Sequence, residues 1–208
     1  MKARFFLLCV GAIFLFALNA QATPVFSDDF EGDLSAWTGK TGDVHHGQIV
    51  DDPLDSSNDV LKFTELNAGG DIFTKSVAGA AFPGGTYWLA FDYLGQGATT
   101  DSGGYVGVSQ GFAGTHKWLW ATGIVSGASD VLIDDSQWNS YLFEFTYLSP
   151  FHLMFEEFSG SDSTVGNAYF DNITLHNSNP VPEPATMLLL GTGLIGLAGF
   201  RRKKFKKK

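Results

Sequence analysis

The stretch Thr86–Leu94, TYWLAFDYL, sets Tyr87, Leu89, Phe91 and Tyr93 against Trp88, Ala90 and Asp92. An apolar residue at every second position marks a strand with one face in a core and the other turned outward. Gln137–Leu148, QWNSYLFEFTYL, repeats the pattern, with Tyr141, Phe143, Phe145 and Tyr147 opposing Leu142, Glu144 and Thr146. Phe151–Phe158 sets Phe151, Leu153 and Phe155 opposite His152 and Glu156. Outward from these, similar short runs occupy Val25–Phe30, His46–Val50, Val60–Leu66, Asp71–Val77, Tyr105–Gln110, Lys117–Val125 and Ala168–His176. Turn-forming residues separate them, and no stretch of the body sustains a helical stripe. Short alternating strands with Gly-rich joints predict an all-β fold, an antiparallel jelly-roll β-sandwich.

A chain of 208 residues holds one such domain and short terminal segments. With 14% aromatic and only 17% charged residues it can bury a core, which excludes wholesale disorder. The charge is unevenly placed. Lys2 and Arg4 stand at the start, and Arg201, Arg202, Lys203, Lys204, Lys206, Lys207 and Lys208 at the end. Lys40, Lys62, Lys75 and Lys117 are the cations left in the body, against 22 acids between Asp28 and Glu183, a balance of −18. Such a surface repels phosphate backbones and argues against nucleic acid as a partner. It suits divalent cations or uncharged sugars.

Both ends carry targeting features. The opening MKARFFLLCVGAIFLFALNAQA is basic, then apolar from Phe5 to Leu18, then small-x-small at Ala20-Gln21-Ala22. This is the pattern of a secretory signal peptide, residues 1–22, cut by signal peptidase after Ala22. Leu7-Leu8-Cys9 lacks the small residue that lipidation would need before its cysteine, and one cysteine forms no disulfide within the chain. The end reads Val181-Pro182-Glu183-Pro184, then an uncharged apolar run Ala185–Phe200, then RRKKFKKK. The two prolines lack amide hydrogens and hold the chain extended, a shape an enzyme can grip as a strand. As a helix the run would be about 24 Å long, slightly short of a bilayer core of about 30 Å. Arg201, Arg202, Lys203 and Lys204 hold that end on the cytoplasmic side of the inner membrane. The layout expected is a signal peptide 1–22, a sandwich 23–179, a sorting and anchor segment 180–204 with a transmembrane helix 185–200, and a basic tail 201–208.

The Pro-Glu-Pro core, short Gly-rich span and Arg-Arg start of this tail resemble the PEP-CTERM sorting signal, also labelled an ice-binding-protein C-terminal domain. The resemblance implies recognition by the membrane enzyme exosortase, cleavage near Val181–Pro184 and delivery to the cell surface or matrix. A plain tail anchor is the competing assignment. The opening FSDDFEGDLSAW (Phe26–Trp37) and closing NAYFDNITL (Asn167–Leu175) resemble the first and last strands of carbohydrate-binding-module and lectin-like jelly rolls. That resemblance implies a structural calcium bridging the two strands, with Asp28, Glu31 and Asp171 as its ligands; turn and capping roles for these acids are the alternative. A second acidic loop, Asp51–Asp59, lacks calcium-loop spacing and reads as a solvated turn.

Sugar rings stack their C–H faces on aromatic side chains while polar groups take their hydroxyls. Trp118 and Trp120, two apart on one run behind His116 and Lys117, are the candidates for such stacking; Trp88, Tyr105 and Trp138 are possible additions. Core packing is the competing role, and it is the one expected for Trp37. Enzyme signatures are scarce: there is no Gly-x-Ser-x-Gly, no His-Glu-x-x-His and no phosphate loop. The adjacent acid pairs, such as Glu156–Glu157, point to opposite faces of a strand and form no glycosidase dyad. His45-His46 is a poor zinc pair, and Asn172-Ile173-Thr174 an incidental sequon. The expectation is a secreted, exosortase-sorted surface protein that binds glycan or builds exopolysaccharide matrix without catalysis. The alternative is a glycan-active hydrolase or lyase on the same sandwich. Ice binding finds no Thr array to support it.

Overall fold

The structure is a computed structural model that describes residues 22–39, 47–63, 72–74, 82–96, 103–111, 116–121, 130–158 and 167–180. Ala20 of the signal segment and the tail from Val181 onward, with Pro182, Glu183, Pro184, the apolar span and Arg201, Arg202, Lys203 and Lys204, lie outside them. So do His45, His46 and the side chains of Trp118 and Trp120.

Residues Pro24–Ser178 form one compact unit. Its strands are β1 (Phe26–Asp28), β2 (Trp37–Gly39), β3 (Gly47–Asp51), β4 (Asp59–Phe63), β5 (Ile72–Thr74), β6 (Gly85–Gln96), β7 (Gly103–Ser109), β8 (His116–Ala121), β9 (Asp130–Val131), β10 (Asn139–Tyr147), β11 (His152–Phe158) and β12 (Asn167–His176). The described residues contain no helix. The first sheet runs β10-β6-β12-β4-β3, with β1 also on β12; the second runs β2-β5-β11-β7-β8-β9. From β4 to β7, and again from β10 to β12, each strand lies in the other sheet from the one before it. Chain that crosses between layers in this way makes a jelly roll.

The alternating runs fold as their period dictates. Tyr87, Leu89, Phe91 and Tyr93 are all buried, while Trp88, Ala90 and Asp92 on the reverse side are partly exposed. Tyr141, Phe143 and Tyr147 pack against the core from the edge strand β10, leaving Leu142, Glu144 and Thr146 exposed. Phe155 is an aromatic hub, with ring centroids 5.6 Å from Trp37, 6.0 Å from Phe91 and 5.1 Å from Phe170. Trp37 is in the core as expected, stacked on Phe30 and edge-on to Phe26.

Three features depart from the sequence reading. β2 and β9, of three and two residues, are too short to display a period. β9 pairs parallel with β8 inside an otherwise antiparallel sandwich. The outer face of β11 is not wet: His152 and Glu156 are buried along with Phe151, Leu153 and Phe155. β11 has a neighbour on each side, and a central strand is screened more than an edge one.

Two local devices shape the junction of the first and last strands. Phe30 has φ 57°, which ends β1, and the Asp28 side chain accepts from its amide at 2.9 Å. In β12 the ladder to β6 shifts register between Asp171 and Thr174, and Asn172 has φ 51°. Asn tolerates this left-handed conformation better than most residues. The irregularity lets β12 pair with β4 before it and with β1 after it. Gly104 of β7 lies so close to the inner layer that a Cβ there would stand 2.4 Å from the Tyr93 ring.

Candidate functional site

The β1–β12 junction holds the three acids of the calcium expectation. Asp28 pairs in register with Ile173; one of its oxygens accepts from the Phe30 amide and the other from the Trp37 indole N–H at 2.6 Å. Glu31 accepts from the Asp59 amide at 3.0 Å. Asp171 accepts from the Asn172 amide at 2.7 Å and from the side-chain amides of Asn58 and Asn172 at 3.1 Å. Burial pushes the Asp171 carboxyl above its usual range, the charges of Asp92 and Glu31 add to the rise, and the Asn58 and Asn172 donors oppose it. Glu31 and Asp171 thus feel one another, while Asp28 holds a turn and an indole. Among the described residues no three His, Cys, Asp or Glu side chains converge to hold a metal.

The Asp51–Asp59 loop is folded on itself. Asp52 accepts from the Leu54 amide at 2.8 Å and from the Trp138 indole at 2.9 Å. Asp55 accepts from the hydroxyl and amide of Ser57, which hold its carboxyl below the usual range. These are turn roles for Asp.

The second sheet presents the richer surface. On β7 and β11 the residues that turn away from the core are Tyr105, Gly107 and Ser109, and His152, Met154 and Glu156. Register puts Glu156 opposite Tyr105, Met154 opposite Gly107 and His152 opposite Ser109. The rows continue onto β8, with Trp118 opposite Gly107 and His116 opposite Ser109. Trp120 stands opposite Val106, and a register shift leaves Leu119 between the two tryptophans as an extra residue. Tyr105, Ser109, His152, Met154 and Glu156 are all buried, an unusual state for an outward-facing row with an acid, an imidazole and two hydroxyls. The His152 Nδ1 lies 2.7 Å from the Thr74 carbonyl, which only accepts, so Nδ1 carries the proton. The signal for this row was in HLMFEEF, whose alternation separates His152 and Glu156 from the core residues; the pairing with Tyr105 was not visible.

Glu157, next along β11, turns inward opposite Gly104 and is fully buried. Among the described residues neither of its oxygens has a hydrogen bond of normal geometry, although the Ala168 amide lies near enough to act on the carboxyl. Burial raises its carboxyl to about 7, with the Ala168 amide and the Lys62 ammonium pulling the other way. From pH 4.5 to 7 the folded chain therefore holds a proton the unfolded chain has lost, so this group's contribution falls as pH rises through that window. Glu157→Gln is expected to raise stability at pH 8 by about 2–3 kcal/mol and to give no gain at pH 4. Melting temperatures at both values check it; an equal effect at both would refute the titration.

Residues 180–203 match the PEP-CTERM protein-sorting motif. The chain ends in a sorting signal. That motif implies recognition by exosortase and an exported precursor, anchored at the membrane and sorted to the cell surface. No curated protein matches the chain. Several solved structures are similar in chain trace. The CBM22-1–GH10 modules of Clostridium thermocellum xylanase 10B, complexed with xylohexaose, share 11% identity at TM-score 0.49, over 76% of this chain and 29% of that one. The CBM22-1 xylan-binding domain of Paenibacillus barcinonensis Xyn10C shares 13% at TM-score 0.48, over 76% and 96%. A family 29 carbohydrate-binding module, CBM29-2, shares 13% at TM-score 0.47, over 78% and 100%. The sorted chain thus spans less than a third of the xylanase chain, and its jelly-roll assignment rests on its own strand order.

Proposed function

We propose that the sandwich is a non-catalytic glycan-binding domain of an exosortase-sorted surface protein, serving an exopolysaccharide matrix. One observation carries this reading: on the outward side of the second sheet the row of Met154 and Gly107 continues in register to Trp118, next to the row in which Glu156 stands opposite Tyr105. Tyr105 and Glu156 are buried, so stacking on the C–H face of a pyranose falls to the tryptophan strand, with the carboxylate of Glu156 beneath it as an acceptor that a change of charge would perturb. Binding without hydrolysis agrees with the acids: Glu156 is the one carboxylate among the described side chains of that face, while Glu157 turns inward. A glycosidase would need two across one cleft.

Glu156→Gln keeps the volume and removes the charge. It is expected to weaken retention of the chain on neutral polysaccharide gels about tenfold, since hydrogen bonds to charged groups are the stronger ones. The double variant Trp118→Ala with Trp120→Ala is expected to weaken it further. Unchanged retention in both, with the melting temperature preserved, would remove this face from consideration. Calcium enters the proposal as an ion held by Asp28, Glu31 and Asp171, and melting with and without a chelator decides it.

A further inference from the structure

The outer face of the first sheet carries a second aromatic, and its surroundings differ from those of every other described tryptophan. Trp37 is in the core, hydrogen-bonded to Asp28. Trp138 packs on Val60, Leu94 and Tyr169 and donates to Asp52. Trp88 lies half-buried at the middle of the sheet with no such arrangement. Register puts Glu144 of β10 directly opposite it on one side and His176 of β12 on the other. Side chains directly opposite across antiparallel strands stand about 5 Å apart at Cβ.

Among the described residues none of these three side chains makes a hydrogen bond or an ion pair. His176 is 8% exposed, and its Nδ1 is buried without a partner. Native structures leave few such atoms unsatisfied, because each costs the full desolvation of the group. The row thus offers an indole face, an indole N–H and an unpaired carboxylate, with a buried imidazole at its edge. One row along, Ala90 lies between Leu142 and Thr174, so the floor drops beside the indole. Thr174 then leads into a cavity of about 280 Å³ lined by Ser27, Asp28, Asp29, Asn172, Ile173 and Thr174. Two residues of strand rise about 6.7 Å, so the tract from Trp88 to that cavity is long enough for consecutive sugar rings.

We propose that Trp88, with Glu144 and His176, forms a second sugar-stacking site for neutral pyranose chains, on the opposite side of the sandwich from Tyr105 and Glu156. It rests on the glycan reading for its ligand class alone. Charge selects the ligand: a body at −18 with unpaired Glu144 on this face repels uronate- or phosphate-bearing polymers and accepts uncharged ones.

The test is affinity electrophoresis of the full chain in detergent micelles, through gels holding hydroxyethylcellulose, soluble xylan, galactomannan or polygalacturonate. At least one neutral polymer is expected to retard the chain, and polygalacturonate is not. Trp88→Ala should weaken the interaction roughly tenfold, the scale of a lost aromatic stack. Glu144→Ala, at an exposed position, should weaken it about threefold and serves if Trp88→Ala fails to fold. Loss in Glu156→Gln with none in the Trp88 and Glu144 variants overturns this site and keeps the other face. Loss in the Trp88 and Glu144 variants alone supports this site and overturns the other. Retardation by no neutral polymer, or equal retardation by polygalacturonate, overturns it.

Discussion

Phe155→Ala is expected to lower the stability of the sandwich by about 3–5 kcal/mol. Phe155 is fully buried and meets rings from both layers: Trp37 of the second sheet, and Phe91 and Phe170 of the first. Truncation loses the transfer free energy of a phenyl group and leaves a cavity whose walls are held by strand pairing and cannot close on it. Domains of this size are typically stable by about 5–15 kcal/mol, so the variant should be partly unfolded well below the wild-type midpoint. Leu148→Ala, at a residue 89% exposed, is the control, expected to change stability by less than about 0.5 kcal/mol. Denaturant midpoints measure both; a Phe155 effect below about 1 kcal/mol would contradict the hub.

Replacing Pro182 and Pro184 together by Ala is expected to change where the protein ends up rather than how it folds. The match over residues 180–203 takes in the Pro-Glu-Pro segment, and the sequence reading expects the sorting enzyme to grip that segment as an extended strand. Alanine at both places lets the segment join a helix with the apolar run that follows. Membrane fractionation of cells carrying the variant should find the full-length chain in the inner membrane and the surface fraction empty. Normal surface delivery would mean that the prolines do not serve the sorting enzyme.

The two features the sequence displayed best are those written in local pattern. Alternation in TYWLAFDYL and QWNSYLFEFTYL assigns each side chain to one of two faces, and both runs fold accordingly. The same alternation separated Glu156 from Glu157, and the structure turns one outward and the other inward. Asp28 was recognised as a residue that matters to the junction of the terminal strands, and there it accepts from the Trp37 indole and the Phe30 amide. A carboxylate beside a tryptophan nine residues away reads the same whether it accepts from an indole or ligates an ion. The pairing of Tyr105 with Glu156, and of Trp88 with Glu144 and His176, joins residues 51, 56 and 88 positions apart, which no periodicity records.

By itself the order of residues determined the two-layered β architecture, the inward and outward faces of its long strands, the acid-rich body and the sorting tail. Each of these follows from the period of a strand, from charge, or from a motif contiguous in the chain. Tertiary structure alone decided which strands became neighbours, that the outward face of β11 is buried while Trp88 keeps a half-open one, and that among the described residues the Glu157 carboxyl has no hydrogen bond of normal geometry. A strand period of two says which way a side chain points, but what meets it there is set by a chain segment far away in sequence.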